Sequence, residues 1–206
     1  MHPRLTLALA IMEAIAILSY AISGLVEART KRLDGVGTFL VAMATAFGGG
    51  TVRDILLDRR PFSWVEHQWY PIVIFVLCCF APLVLRTFDR VINERVLLVT
   101  DAIGLGLFSI SGTSRALDAQ MPWFVASMMG VATGVFGGII RDVICNEVPL
   151  ILRDSRPYAT CALVGCWFYL LLDYINFDTV YSVLIATGFI LVARLVTFKL
   201  DVRLPH

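Results

Sequence analysis

Seven apolar stretches of membrane-spanning length set the limits on what this chain can fold into. A bilayer core about 30 Å thick takes roughly 20 apolar residues per helix. Windows of that kind, bounded by charge, Pro or Gly, run from Leu5 to Val26, Gly35 to Leu57, Tyr70 to Leu85, Val96 to Ala116, Pro122 to Cys145, Pro157 to Leu172 and Thr179 to Val196. They take up most of the 206 residues and leave only short connections. Composition agrees: 16% of the residues are charged, against about 25% in soluble domains, and the mean hydropathy is +0.80. The expected fold is an all-α membrane protein, one transmembrane domain over 1–206.

The net charge of +1 offers no field for nucleic acid. The positions of the charges say more than their sum, because Lys and Arg concentrate in cytoplasmic loops. Arg29, Lys31, Arg32, Arg86, Arg90, Arg95, Arg153, Arg156, Lys199 and Arg203 fall on one side, and Arg4, Arg59, Arg60 and Arg115 on the other. The bias predicts an outside N-terminus and a cytoplasmic C-terminus. The first window is not read as a cleaved signal peptide, since Glu13 interrupts it and the segment has a partner later in the chain. The five cysteines lack metal-ligand spacing and read as small core residues. No metal or cofactor is expected beyond ions in transit.

Compared with itself, the chain matches without gaps at a shift of 88 residues, which carries Arg53 onto Arg141. The same shift lays Ile22-Ser23-Gly24 on Ile110-Ser111-Gly112, Ala44-Thr45 on Ala132-Thr133, Gly49-Gly50 on Gly137-Gly138, Arg53-Asp54 on Arg141-Asp142, Pro61 on Pro149 and Tyr70 on Tyr158. Glu13 lands on Asp101. Each unit, about 5–85 and about 96–173, holds three windows. An odd number turns the second unit over in the membrane. The expected architecture is two inverted three-helix repeats followed by a seventh helix at about 179–196, a plan common among transporters and channels with the permeation site between the halves.

Gly-interrupted spans at matching positions point to that site. Here they are Gly48, Gly49 and Gly50 in the second window, and Gly137 and Gly138 in the fifth. Each Gly costs about 1 kcal/mol of helix propensity relative to Ala, so such runs predict a kink or break at membrane depth, opening onto a polar cavity. The alternative is close packing, because Gly130, Gly134 and Gly138, like Ala42, Ala46 and Gly50, form a small-residue ridge. Glu13, Arg53, Asp54, Asp101, Arg141 and Asp142 all lie within spans, where an unpaired charge costs several kcal/mol. Neighbours on a helix point about 100° apart, so each Arg is expected to pair with an acid of the opposite repeat rather than with the Asp beside it. Snorkelling of the arginines to the interface is the other reading. Ser23, Thr51 and Ser111 are candidate pore hydroxyls.

Gly48-Gly49-Gly50-Thr51-Val52-Arg53-Asp54, Phe136-Gly137-Gly138-Ile139-Ile140-Arg141-Asp142 and the paired Ile-Ser-Gly triplets resemble the prokaryotic branch of the trimeric intracellular cation (TRIC) channels, a family also described as glycine-transporter-like. The resemblance implies a homotrimer in a prokaryotic cell membrane, surrounded by lipid, in which each subunit carries a pore for potassium and sodium between its two repeats, gated at the second and fifth spans. A secondary transporter of a small amino acid such as glycine is the alternative, with a half-helix N-terminus and Arg53 or Arg141 holding the carboxylate. No nucleophile-base pair or phosphate loop suggests an enzyme.

Overall fold

The computed structural model describes residues 3–87, 94–153 and 157–203, with side chains over 10–80, 96–152 and 157–203. Of the basic residues used for the orientation, Arg90 and Arg156 lie outside the described residues, and Arg4, Arg86, Arg95 and Arg153 outside the described side chains. The described residues form α1 (Pro3–Thr30), α2 (Gly35–Leu56), α3 (Ser63–Glu66), α4 (Trp69–Thr87), α5 (Glu94–Asp118), α6 (Trp123–Ile144), α7 (Leu150–Arg153), α8 (Ala159–Tyr174) and α9 (Thr179–Lys199). The protein is all-helical. Stretches in α1, α2, α5, α6 and α9 are long and apolar enough to cross a membrane, while α4 and α8 contribute shorter apolar stretches, Trp69–Phe80 and Ala159–Tyr174.

Local chemistry fixes the helix ends. Asp34 caps α2 by accepting from the Gly37 amide at 2.7 Å, and Asp178 caps α9 from Val180 at 3.0 Å. At the other ends the chain turns through left-handed residues, none of them glycine: Arg32, Asp58, Gln120, Asn146, Asn176 and Asp201. Behind each turn, backbone amides reach back to carbonyls of the last turn, as Arg59 does to Asp54 (2.8 Å) and Glu147 to Asp142 (2.8 Å). Those two bonds, like the turns at Arg32 and Gln120, stand 88 residues apart, so the sequence repeat is also a repeat of local structure.

The core lies where α1, α2, α5 and α6 meet, with α8 and α9 packed on the α5 and α6 side. Tyr20 of α1 and its repeat counterpart Phe108 of α5 face each other with ring centroids 5.3 Å apart. Seven residues before Tyr20, Glu13 meets Arg115, which lies seven residues after Phe108. As α1 advances α5 recedes, so the two helices run antiparallel. The α2 and α6 pair follows the same rule. A Cβ on Gly49 would stand 2.0 Å from the Thr133 carbonyl oxygen, and one on Gly137 would stand 2.5 Å from that of Thr45. Equivalent residues thus make reciprocal contacts, backbone against backbone.

These contacts correct the expectation of a break. Gly48, Gly49, Gly50, Gly137 and Gly138 all lie inside uninterrupted helix, and no described glycine has a positive φ. At Gly49 and Gly137 the propensity cost is offset by the close approach that only a residue without a side chain permits, so the packing reading holds at those two positions. Gly49→Ala and Gly137→Ala therefore each destabilise the protein by about 1–3 kcal/mol, the range for overpacking. Gly188→Ala, where a Cβ meets nothing within 4 Å, is neutral or slightly stabilising. Apparent melting temperatures in detergent check the contrast.

Candidate functional site

The last turns of α2 and α6 each deliver a buried Arg-Asp pair, and the short helix that follows locks it. Arg53 and Asp54 are fully buried, Arg141 and Asp142 nearly so. Nε of Arg53 donates to Asp54 Oδ1 at 2.9 Å and Nη2 approaches the same oxygen at 2.8 Å; Nε and Nη2 of Arg141 do likewise to Asp142 Oδ1, both at 2.8 Å. The second carboxylate oxygen is held from beyond the helix. Asp54 Oδ2 accepts from the Ser63 amide, the first of α3, at 2.8 Å, and Asp142 Oδ2 accepts from the Leu150 amide, the first of α7, at 2.9 Å. The expected cross-repeat pairing is thus corrected. Each Arg pairs with its own neighbour because the long side chain curls back across the 100° between adjacent positions, and the forked guanidinium then binds through two nitrogens.

The deeper acids also serve their own repeat. Arg141 Nη1 reaches Asp101 Oδ1 at 3.0 Å, and Arg53 Nη2 comes to 3.7 Å from Glu13 Oε1. What crosses between repeats is different: Arg141 Nη1 donates to the Ser23 hydroxyl, Arg115 binds Glu13, and the Tyr20 hydroxyl donates to the Gly134 carbonyl. Ser111 is buried but gains no bond from Arg53 Nη1, which has no hydrogen-bond partner among the described residues. Thr51 accepts from the Trp64 indole at 3.1 Å, so this hydroxyl is tied to α3.

The two clusters are therefore unequal. Around Arg141 every nitrogen is engaged, and Asp101 is fixed a second time by the Tyr158 hydroxyl at 2.8 Å. Around Arg53, Glu13 is shared with Arg115, whose position in the other repeat is occupied by Glu27. A small cavity lined by Gly138, Arg141, Asp142, Leu150, Ile151 and Tyr158 adjoins the tighter cluster. At the chain turns, Lys31 pairs with Glu147, linking the α1–α2 connection to the one after α6; the ammonium, stabilised first by that bond, has its pKa raised. Among the described residues, Glu13, Arg53, Asp54, Asp101, Arg141 and Asp142 are thus gathered as two groups rather than one.

Sequence reasoning missed Arg115, assigned to a loop, and Ser63, for which the sequence carries no signal. It also missed Tyr158, whose match to Tyr70 in the repeat was the available clue. Buried pairs are strongly destabilised when one partner is removed. Asp101→Asn accordingly costs about 3 kcal/mol, the low end for a buried pair because Asp142 stays on Arg141. Tyr158→Phe costs about 2 kcal/mol, as for a bond to a charged acceptor. Glu13→Gln costs less than Asp101→Asn, since the Arg115 side chain, 21% exposed against 1% for Arg141, keeps some access to water. The ranking of the three melting temperatures is the check.

Comparison with known proteins now bears on this geometry. A family model described as "Glycine transporter" matches residues 10–86 and again 98–174. The UPF0126 membrane protein of Vibrio cholerae is 40% identical over 150 residues, 73% of this chain and 62% of the Vibrio protein. The UPF0126 inner membrane protein YadS of Escherichia coli is 38% identical over 154 residues, 75% of this chain and 73% of that protein. Among solved structures, the TRIC trimeric intracellular cation channel orthologue from Rhodobacter sphaeroides superposes with a TM-score of 0.85 at 31% identity, covering 94% of this chain and 98% of that one. A TRIC cation channel studied for conductance gives 0.82 at 33% identity and 96% of both chains. The chain belongs to the UPF0126 membrane-protein family matched by the glycine-transporter model, and its fold is that of prokaryotic TRIC channels.

Proposed function

We propose that this protein is a passive channel for monovalent cations, potassium and sodium, in a prokaryotic inner membrane, with no enzymatic step. It works as a homotrimer in which each subunit conducts between two inverted three-helix repeats, α9 standing outside them. The observation that carries this reading is the α2–α6 crossing at Gly49 and Gly137, flanked by the Arg53 and Arg141 clusters. The antiparallel α1–α5 and α2–α6 contacts support the inverted arrangement, and the likeness to TRIC cation channels supports the ion class.

In this reading the crossing is the gate. With carbonyl against glycine at both sites, no ion fits between the two helices, and conduction requires them to part. Carboxylates at the two clusters then compete with water for a partly dehydrated cation. Glu13, Asp54, Asp101 and Asp142 supply the charge, and Ser23, Thr51 and Ser111 supply hydroxyl dipoles. The N-terminus lies outside and the C-terminus in the cytoplasm, with lipid around the exposed apolar faces. A carrier of a small amino acid such as glycine is the second reading, favoured by the one unbonded nitrogen of Arg53, which a substrate carboxylate could take.

Purified protein in liposomes separates the two. A potassium diffusion potential that collapses without added substrate is the expected result. Substrate-dependent uptake of labelled glycine with no single-channel current overturns the channel reading in favour of the carrier. In the channel, Asp54→Asn or Asp142→Asn lowers cation over anion permeability on the order of threefold to tenfold, as expected for one charge lost in a partly hydrated path. An unchanged current counts against the charge assignment.

A further inference from the structure

One buried charge stands apart from the paired sites. Arg194 of α9 is only 2% exposed, yet among the described residues its Nε and Nη1 have no hydrogen-bond partner. Its guanidinium carbon lies 4.7 Å from the centroid of the Tyr158 ring, a cation over an aromatic face. That ring belongs to the residue whose hydroxyl donates to Asp101 at 2.8 Å, and Asp101 in turn holds Arg141 at 3.0 Å. A guanidinium this deep requires compensating charge. The ledger of formal charges shows where it is. Among the described residues, Asp101, Asp142 and Arg141 leave one negative charge over, and Arg194 stands behind Tyr158 with the matching positive one. At the other cluster Glu13 and Asp54 are balanced by Arg53 and Arg115 through direct ion pairs.

We propose that Arg194 is the counter-charge of the Arg141 cluster and so sets how strongly that cluster attracts a monovalent cation, making the seventh helix a determinant of ion selectivity. The inference rests on the channel reading. Tyr158 both spaces the guanidinium from the carboxylate and transmits its field, since a cation over the ring strengthens the phenol as a donor to Asp101. Held one aromatic ring away, Arg194 weakens the cluster's hold on a passing ion without occupying the carboxylate itself. An ion that enters meets a site with no excess charge and leaves readily, as conduction requires.

The test is the potassium-to-chloride permeability ratio of reconstituted protein in a KCl gradient, with Arg194→Gln, Arg194→Lys and the double variant Asp101→Asn/Arg194→Gln. Arg194→Gln raises the ratio, on the order of tenfold for a unit charge removed about 10 Å away at an effective dielectric near 20. It also increases protection against heat by KCl relative to choline chloride. Arg194→Lys keeps the wild-type ratio, and the double variant returns toward it because charge balance is restored. Arg194→Met, which keeps the apolar stem, takes the place of Arg194→Gln where the latter does not fold. An unchanged ratio in the folded charge-removing variant, or the same rise in Arg194→Lys, overturns the proposal. Absence of potassium flux in the wild type is instead a failure of the channel reading, and the KCl protection then reads the cluster's charge by itself.

Discussion

A charge buried in a bilayer must find its opposite within the protein, because neither water nor lipid tails supply one. Much of this fold can be understood as the arrangement that meets this demand for Arg53 and Arg141. Each is paired with the Asp that follows it, and each Asp is completed by the first amide of a four-residue helix beyond the span. The helices α3 and α7 are too short to contribute much core. What they contribute is a correctly placed N-terminus, where an amide and the local dipole favour a carboxylate. Span, turn and short helix act as one unit, used twice.

Close contact of backbones is the second constraint, and it depends on the first. Helices α2 and α6 can touch at Gly49 and Gly137 because each Arg-Asp pair at their ends is closed on its own helix and makes no demand on the crossing. In the proposed channel, this close crossing between two polar clusters is the two-state element. Parting the helices costs dispersion contacts of small residues and few hydrogen bonds. The exception is the Tyr20 bond to the Gly134 carbonyl, which spans the repeats near the crossing and couples α1 to any movement of α6.

Duplication supplied two similar clusters, and single substitutions then made them different. Where the second repeat has Arg115, the first has Glu27, and that arginine draws Glu13 partly away from Arg53. Among the described residues the Arg141 cluster has no such competitor in direct contact, and it gains Tyr158 instead. This difference was not legible from the repeat, which pairs Glu13 with Asp101 and Tyr70 with Tyr158 as though they were equivalent. A one-dimensional match registers which residues recur and carries no information about third partners arriving from another helix.

The all-helical class, the membrane setting, the positions of the long helices and six of the charges inside the spans, though neither Arg115 nor Arg194, were determined by the sequence, because hydropathy period and length act locally and bilayer thickness is fixed. So was the 88-residue repeat; the structure extends it to the helix-ending turns at Arg32 and Gln120. Only the tertiary structure decided what the glycines and arginines do. The runs that looked like breaks remain helix, since a partner backbone rewards what propensity alone would penalise. The arginines chose the adjacent Asp, since the reach of a long forked side chain and a later helix's amide outweigh the angle between neighbouring positions. Helix formation depends on near neighbours in the chain, whereas the satisfaction of a buried charge depends on whatever the fold brings within about 3 Å of it.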